Sequence, residues 1–305
     1  MDETVARTLS RIPLLADLPP GALTVARLGG LTNENWRLDA AGAAYVLRIP
    51  GKGTGDYIDR VAEEQAARAT AAIGVNAEVL HFDAADGVQL CRFVAGAHTM
   101  SPAAFRDHGA VRRAAVALRE VHRRAAPFAK DFDLFGMIDD YRALLARRAA
   151  ALPDGYAAVV ADAEAVRAAL AAHPAPRVPC HCDPLAENFL DTGERMVVVD
   201  WEYAGNNDPM WDLGDLAVEA ALGPAAEEAL LDAYFDGAVP PAARGRMVLY
   251  KAMCDLLWTL WGVIQHADGN PADDFWAYAV NRLERCRRLM AEPGFARHVE
   301  TVRAG

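Results

Sequence analysis

The sequence lacks the long apolar segments that are typical of membrane and secreted proteins. No apolar run approaches the roughly 20 residues that a membrane-spanning helix needs. The N-terminal segment MDETVARTLSRIP contains acidic residues and no apolar core, so we expect no signal peptide. These two absences predict a protein that neither inserts into a membrane nor enters the secretory pathway.

Cysteine is scarce, and basic residues are outnumbered by acidic ones. The five cysteines are odd in number and scattered, which argues against disulfides and favours a reducing compartment, the cytoplasm. Cys180-His181-Cys182 has the residue types of a zinc site. Alternation along an extended segment would turn His181 away from both thiols, and no second ligand pair follows at zinc-finger spacing, so free thiols are expected. The net charge of −11 argues against nucleic acid as the main partner and is compatible with a small cationic substrate.

The common glycine-rich phosphate motifs are also absent. No G-x-x-x-x-G-K-[ST] sequence occurs, so a P-loop fold is not supported. A different turn, LGGLTNEN, lies between two predicted strands, where free backbone N–H groups can cover ATP phosphates. A plain hairpin turn is the alternative. The residues of this turn that we predict to contact the nucleotide are Gly29, Gly30, Thr32, Asn33 and Asn35.

The strongest positive signal is the segment CHCDPLAEN, at residues 180–188, followed by VVVD. It has the pattern H-x-D-x-x-x-x-N, then a short link, a β-branched run and an aspartate. Phosphoryl transfer from ATP needs a carboxylate that accepts the hydroxyl proton and oxygen ligands that hold Mg²⁺. Asp183 suits the first role, and Asn188 and Asp200 suit the second. A polar turn between strands is the alternative, but the ordered spacing favours a kinase-type catalytic loop that uses ATP and Mg²⁺.

The strand Tyr45-Val46-Leu47-Arg48-Ile49 places a cation between apolar neighbours. Arg48 is the candidate for contacting the α- and β-phosphates, with Lys52 as the second choice and an outward-facing arginine on an edge strand as the alternative. On the next predicted helix, Glu63 is preferred to Glu64 as the partner of Arg48.

The order of elements predicts an α+β fold with two lobes. The predicted strands are 23–28, 35–38, 44–49, 77–82 and 88–94, with a helix at 56–73 capped by Asp56. The predicted helices that follow are 102–125 (with Ser101-Pro102 at its start), 136–151, 156–172, 209–221, 225–236, 241–267 and 271–291. We therefore predict a small, mostly β nucleotide-binding lobe over 1–95 and a larger helical lobe for catalysis and acceptor binding over 96–305. Phe93 and Val94 would offer hinge backbone to adenine.

Several segments together resemble the choline/ethanolamine kinase family, within the wider group that includes aminoglycoside phosphotransferases. They are LGGLTNENWRL, YVLRIPGKGTGDYIDRVAEE, CHCDPLAENFL, VVVDWEYAGNNDPMWDLGDLAVE and WTLWGVIQ. The D-x-E-Y, W-D-[LI]-G and W-x-x-W-x-x-x-Q patterns are the most particular to choline kinases.

The resemblance implies a protein-kinase-like fold, ATP-dependent phosphorylation of choline to phosphocholine, Asp183 as catalytic base and Asp200 with Glu202 as Mg²⁺ ligands near Asn188. The residues agree with this, because Asp200 and Glu202 would alternate onto one side of an extended segment and Mg²⁺ prefers carboxylate oxygens. The side chain of Asp212 is expected to anchor the catalytic loop by hydrogen bonding to the backbone of that loop.

The acceptor pocket follows from the chemistry of a quaternary ammonium, which has no N–H to donate and is selected by aromatic faces. Trp258 and Trp261 are three residues apart on one helix, and Tyr278 lies at the spacing where choline kinases place a cage tyrosine. Glu219 falls where the family places a carboxylate that balances the cation, and Tyr203 is a weaker candidate. Core packing is the alternative for each aromatic residue.

Other interpretations stay open at this point. Another cationic alcohol, such as ethanolamine, thiamine or an aminoglycoside, is the main alternative substrate. Leu185 replaces a residue that is often polar in the family. In the relatives, a polar residue in this loop helps to orient the hydroxyl end of the acceptor, and Leu185 cannot do so in the same way. A non-catalytic pseudokinase is disfavoured by the intact Asp183, Asn188 and Asp200. A homodimer is compatible with the sequence.

Overall fold

The computed structural model describes residues 3–16, 22–30, 33–40, 42–51 and 54–305. The strands are β1 Leu23–Arg27, β2 Glu34–Ala40, β3 Ala43–Ile49, β4 Val79–Asp83, β5 Val88–Arg92, β6 His98–Thr99, β7 Val178–Cys180, β8 Phe189–Asp191, β9 Met196–Val198 and β10 Gly205–Asn207. The helices are α1 Glu3–Leu9, α2 Pro13–Ala16, α3 Arg60–Ala72, α4 His108–Arg124, α5 Leu134–Arg147, α6 Tyr156–Ala172, α7 Pro209–Glu219, α8 Pro224–Phe235, α9 Pro241–Ala267, α10 Phe275–Met290 and α11 Phe295–Ala304.

The first five strands form one antiparallel sheet in the order β1-β2-β3-β5-β4. Leu38, Leu47 and Leu90 are buried on one face and share a small core with α1 and α2. Arg48 is on the central strand β3, where it is paired with Asn35 of β2 and Gln89 of β5. The predicted alternative of an outward arginine on an edge strand is therefore wrong.

A second and larger core lies in the helical part. The long helix α9 packs against α5, α7, α10 and α11, and α4 packs against α8. Two short sheets, β10-β7 and β6-β8-β9, hold residues 180–200, the segment with the predicted catalytic residues (the catalytic segment), between these helices. Helix α3 follows the first three strands in sequence, but its Ala66 and Ala67 are buried in the larger core. This helix therefore ties the sheet to the helical part.

Helix α9 is long and apolar enough to cross a membrane by length and composition. However, 83% of its most apolar window is buried inside the protein. That burial is expected of a core helix, because a helix that is apolar on all sides needs partners on all sides.

Several predicted boundaries are wrong for local reasons. Asp59, and not Asp56, caps α3, because its side chain accepts from the backbone N–H groups of Val61 and Ala62. Likewise, Asp107 caps α4 in place of Ser101-Pro102, through Gly109 N and Ala110 N.

The remaining differences concern ends and omissions. Helix α5 begins at Leu134 and α10 begins at Phe275, and not at the predicted residues 136 and 271. Their caps are Asp133 and Asp274, respectively. Helices α1, α2 and α11 were not predicted, whereas α6 and α9 have the predicted bounds. The predicted α+β class is confirmed.

Candidate active site

The catalytic segment is held by one buried carboxylate. Asp212 accepts hydrogen bonds from the backbone N–H groups of His181 at 2.7 Å and Cys182 at 2.9 Å, and it contacts His122 Nε2 at 3.0 Å. Cys182 has a φ of 67°, a left-handed conformation that is uncommon for a side-chain-bearing residue. These bonds confirm the predicted role of Asp212 and fix the backbone directly before Asp183.

The imidazole of His181 continues this support. Its Nε2 lies 2.9 Å from the carbonyl oxygen of Val199, so Nε2 carries the hydrogen, and Nδ1 is left to accept from the Asp183 backbone N–H at 3.3 Å. Burial lowers the pKa of His181, which keeps the ring neutral in this arrangement. Both thiols of Cys180 and Cys182 are buried and unbonded to each other, as predicted.

Asp183 follows this segment with a half-buried side chain. Its carbonyl oxygen accepts from Asn188 Nδ2 at 3.0 Å and from Leu185 N at 2.8 Å. Burial raises the pKa of Asp183 well above its usual range, and the charges of Asp215 and Glu219 raise it further. A carboxylate with a raised pKa is a stronger base, which suits the acceptance of a hydroxyl proton.

A cluster of carboxylates lies where the sheet meets the helical part. Oxygen atoms of Glu63, Asp200 and Glu202 all lie within 4.8 Å of one another. Arg48 donates to Asp200 Oδ1 at 2.6 Å and forms a buried ion pair with Glu63. The contact that the sequence predicted between Arg48 and Glu63 is therefore present, whereas Glu64 pairs with Arg68 on the same helix. Burial by itself lowers the pKa of Arg48, but these carboxylates outweigh burial and raise it.

The geometry around Asp200 differs from the prediction. Asp200 has a φ of 65°, so the segment from Asp200 to Glu202 is not an extended strand with simple alternation. The two carboxylates nevertheless converge, because Asn33 Nδ2 lies 3.4 Å from Asp200 Oδ2 and 3.3 Å from Glu202 Oε2. Burial, followed by the charge of Asp200, raises the pKa of Glu202 to about 7.

The glycine-containing turn reaches this cluster through Asn33. Asn33 Oδ1 also accepts from Gly51 N at 3.4 Å, and Asn35 Nδ2 donates to Gly29 O at 3.1 Å. Gly30 has a φ of 149°, and a Cβ there would lie 2.1 Å from the carbonyl oxygen of Asn33, so no other residue fits this turn. Thr32 and Lys52, two other predicted contacts, lie outside the described residues.

The two hinge candidates differ in what they can offer. The backbone N–H of Phe93 already donates to Ala44 O at 3.0 Å, and the Phe93 ring lies under the Arg37 guanidinium at 4.4 Å. The Phe93 amide is therefore taken by the sheet, and Val94 is the stronger candidate for contacting adenine.

The predicted acceptor residues form two aromatic groups. Trp258 packs edge-to-face against Tyr203 with ring centroids 5.2 Å apart, and both are buried. Trp261 packs edge-to-face against Tyr278 at 5.6 Å and Phe275 at 5.5 Å. The described structure thus brings all four predicted aromatic residues into ring contacts.

Glu219 is in a different situation from the predicted one. Its carboxylate forms an ion pair with Arg282 at 2.7 Å, and the guanidinium of Arg282 lies 4.5 Å from the centroid of the Tyr278 ring. The carboxylate that was predicted to balance a substrate cation is therefore already balanced by a residue of the protein.

Sequence reasoning missed several residues of the site. Arg60 contacts Glu63 at 2.6 Å and Glu202 at 3.3 Å, and it donates to Thr54 Oγ1 at 2.6 Å. Its position three residues before Glu63, on the same helix face, is the sequence signal from which it could have been predicted. Tyr141, which interacts with Tyr203, has no comparable signal in the sequence.

The carboxylate cluster fits Mg²⁺ by its donor set. Mg²⁺ prefers hard oxygen ligands, and Glu63, Asp200 and Glu202 supply them close together. The amide nitrogen of Asn188 is used by the Asp183 carbonyl, which leaves its oxygen as the ligand atom. Arg48 and Arg60 balance the same carboxylates, so a metal ion would share them with these two guanidinium groups.

Comparison with known proteins gives consistent matches. Residues 24–250 match the model of the Phosphotransferase enzyme family. A choline/ethanolamine kinase family protein from Mesorhizobium loti is 53% identical, with 99% of each chain covered and a TM-score of 0.89. Choline kinase LicA from Streptococcus pneumoniae is 27% identical, with 95% of this chain and 98% of that chain covered and a TM-score of 0.81. A structure of LicA in complex with AMP is 27% identical, with 95% and 99% covered and a TM-score of 0.79. These matches confirm the predicted resemblance and the protein-kinase-like fold.

Proposed function

The chain belongs to the phosphotransferase enzyme family and is a phosphotransferase that acts on an alcohol, and we propose that this alcohol is choline, phosphorylated by ATP to phosphocholine. The similar LicA structures include a choline kinase and a complex with AMP, which supports ATP as the donor. The finer assignment to choline rests on the acceptor side of the site.

The observation that carries the assignment is the pair of aromatic groups next to the catalytic base. Burial raises the pKa of both Tyr203 and Tyr278, and Asp183 is among the several charges that raise it further. Those tyrosines contact Trp258 and Trp261, respectively. Aromatic faces attract a trimethylammonium group by roughly 0.5–2 kcal/mol per ring, and this group cannot use hydrogen-bond acceptors. The alcohol oxygen of choline would then lie toward Asp183.

The proposed mechanism assigns each polar residue one task. Asp183 accepts the proton of the attacking hydroxyl group, and its backbone is held for this by Asp212, His181 and Asn188. Arg48 is positioned by Glu63 to contact the α- and β-phosphates. When bound at Asp200, Glu202 and Asn188, Mg²⁺ would neutralise the phosphate charge. The turn at Gly29, Gly30 and Asn33 would cover the phosphates.

The two parts of the chain would divide these tasks. Residues 1–95 would hold the nucleotide, and residues 96–305 would supply the base and the acceptor pocket. The free and mostly buried cysteines support a cytoplasmic location, because nothing in the described residues depends on an oxidising compartment.

The substrate is tested by release of ADP with a panel of alcohols. Choline should give the highest kcat/KM, above ethanolamine, thiamine and an aminoglycoside. The aromatic rings attract a methylated cation, whereas they offer no hydrogen-bond acceptor to the N–H groups of a primary ammonium. A higher kcat/KM for ethanolamine would overturn choline as the substrate while keeping the phosphotransferase activity.

The aromatic groups predict a specific pattern of losses. Trp258→Ala and Trp261→Ala should each lower kcat/KM for choline by roughly 5–30-fold, because each removes one cation–π wall worth about 1–2 kcal/mol. Trp258→Phe and Trp261→Phe keep an aromatic face and should cause a smaller loss. The KM for ATP should change little. Steady-state kinetics with choline and ethanolamine check this, on variants whose melting temperature shows that they are folded.

The comparison between the two substrates separates a cage from core packing. A cage ring contributes more to the trimethylammonium group, so choline should lose more than ethanolamine. Equal losses for the two substrates would show that the tryptophans only support the fold.

The carboxylate cluster gives a second prediction. Glu202→Ala should raise the Mg²⁺ concentration needed for half-maximal activity, because it removes one of the oxygen ligands while leaving Asp200. Titration of activity with Mg²⁺ at saturating ATP measures the shift. Glu64→Ala is a matched control, since Glu64 is on α3 but pairs with Arg68 away from the cluster. If Glu202→Ala needs the same Mg²⁺ concentration as the wild type, Glu202 has a structural role and is not a metal ligand.

A further inference from the structure

The end of the acceptor site formed by α7, α9 and α10 has one carboxyl group more than it has guanidinium groups. In the described residues, three carboxyls meet there, from Asp215, Glu219 and Asp255. Arg282 pairs with Glu219 at 2.7 Å and with Asp255 at 3.2 Å, and Arg285 also pairs with Asp255. Glu219 and Asp255 are therefore balanced within the protein, and no cation of the described residues forms an ion pair with Asp215.

The side chain of Asp215 is buried and half satisfied. It has no exposed surface, its Oδ1 accepts from the thiol of Cys254 at 3.0 Å, and its Oδ2 has no hydrogen-bond partner in the described part of the chain. A buried carboxyl oxygen without a partner is costly, and natural proteins rarely keep one without a reason. Burial raises the pKa of the Cys254 thiol, so Cys254 donates to Asp215 as a neutral thiol and is not poised to ligate a metal ion.

The charge state of Asp215 follows from the groups that face it. Burial, followed by the charge of Glu219, raises its pKa well above the usual range, and Asp212 raises it further, whereas Cys254 and Arg282 lower it. Among the described residues no cation pairs with Asp215 to offset burial, so it is the charged form of this carboxyl group that the protein disfavours. A positive charge brought close to Oδ2 would stabilise the carboxylate and reverse this effect.

Asp215 is also close to the other acceptor residues. One of its oxygens lies within 4.8 Å of a Glu219 oxygen and of the Cys254 sulfur. Its charge and that of Glu219 are the largest charge effects on the catalytic Asp183. Burial raises the pKa of Tyr278, Arg282 lowers it, and Glu219, Cys254 and Asp183 raise it further. The unpaired carboxyl therefore acts electrostatically on Asp183 and has Glu219 and Cys254, two groups that act on Tyr278, as direct neighbours.

We propose that Asp215, rather than Glu219, is the carboxyl group that balances the ammonium charge of the acceptor alcohol. The proposal rests on the proposed function and deepens it. Without substrate, Arg282 forms ion pairs with Glu219 and Asp255. When substrate binds, its cation supplies the one positive charge that is missing. Glu219 and Arg282 then act as a neutral pair that shapes this end of the site.

The test compares choline with 3,3-dimethylbutan-1-ol, called dimethylbutanol below. It is the uncharged analogue of choline in which carbon replaces the quaternary nitrogen. The two alcohols have nearly the same shape, so the ratio of their kcat/KM values reports the contribution of charge. Asp215→Asn keeps the volume of the side chain and removes its charge. We expect kcat/KM for choline to fall about 10–100-fold and that for dimethylbutanol to change less than about 3-fold.

A second substitution distinguishes charge balance from damage to the fold. Adding Arg282→Met to Asp215→Asn leaves Glu219 as the unpaired carboxyl and restores the deficit of one positive charge. This double variant should recover a large part of the lost preference for choline over dimethylbutanol, which a damaged pocket would not do. Asp215→Ser replaces Asp215→Asn in both measurements if the latter proves insoluble.

Each outcome of the experiment is decisive. A wild-type enzyme that does not use choline refutes the proposed function before any variant is made. If wild type prefers choline to dimethylbutanol and Asp215→Asn keeps that preference, Asp215 is not the balancing group. Equal losses for the two alcohols, without rescue by Arg282→Met, would also overturn the proposal and give Asp215 a purely structural role.

Discussion

Asp183→Asn is expected to lower kcat by at least about 10²-fold, the usual scale for removal of a positioned general base. The asparagine side chain has nearly the same shape, and the hydrogen bonds from Asn188 and Leu185 go to the backbone carbonyl of residue 183, so the loop should keep its conformation. What is lost is the ability to accept the hydroxyl proton. Steady-state kinetics by ADP release, together with ATP binding by calorimetry, measure the two effects separately.

The matched control for this variant is Glu187→Gln. Glu187 is in the same loop and undergoes the same change from carboxylate to amide, but its side chain is exposed. We expect near wild-type turnover from it. Turnover of Asp183→Asn that matches Glu187→Gln would remove Asp183 from the role of base.

The loop that we propose to be catalytic could be recognised in the sequence because its residues are close together along the chain. One short segment contains Asp183, Asn188 and Asp200. Their small separation along the chain limits how far apart their side chains can lie in the fold. The contact between Arg48 and Glu63 was also predictable, since a cation on a central strand and a carboxylate on the next helix are fixed by secondary structure. Helix α9 has its predicted bounds because a long apolar pattern is easy to recognise.

The charge balance of the acceptor site could not be predicted from the sequence. Arg282 reaches Glu219 from a different helix, and its spacing in the sequence gives no indication of this contact. Arginines on amphipathic helices are usually solvated, so a buried one such as Arg282 is identified only by its packing. The same is true of Asp215: that no described residue supplies it with a cation depends on where every neighbouring charge is placed.

The turn at Asp200 was mispredicted for a different reason. A β-branched run that ends in D-W-E-Y favours an extended strand, and alternation then brings two carboxylates to one side. The left-handed conformation of Asp200 breaks this alternation, and the carboxylates converge by a tight turn instead. The proposed metal site requires only that the two carboxylates converge, so it does not depend on an extended strand.

Asp200→Ala is expected to abolish activity, because this carboxylate has two tasks. It is the oxygen donor between Glu63 and Glu202 in the proposed metal site, and it is the partner of Arg48 at 2.6 Å. Loss of the ligand removes the charge neutralisation on which phosphoryl transfer depends. Alanine is also strained at a φ of 65°, so a stability effect has to be separated from the chemical one.

Asp200→Asn makes that separation. Asparagine tolerates the left-handed conformation and its amide oxygen still accepts from Arg48, so the fold and the Arg48 contact should be kept. Its neutral oxygen is a much poorer ligand for Mg²⁺ than a carboxylate. We therefore expect Asp200→Asn to melt near the wild-type temperature and to lose at least about 10²-fold in kcat at a Mg²⁺ concentration that saturates the wild type. Activity within about 3-fold of wild type would show that Arg48, and not a metal ion, is the main partner that Asp200 serves.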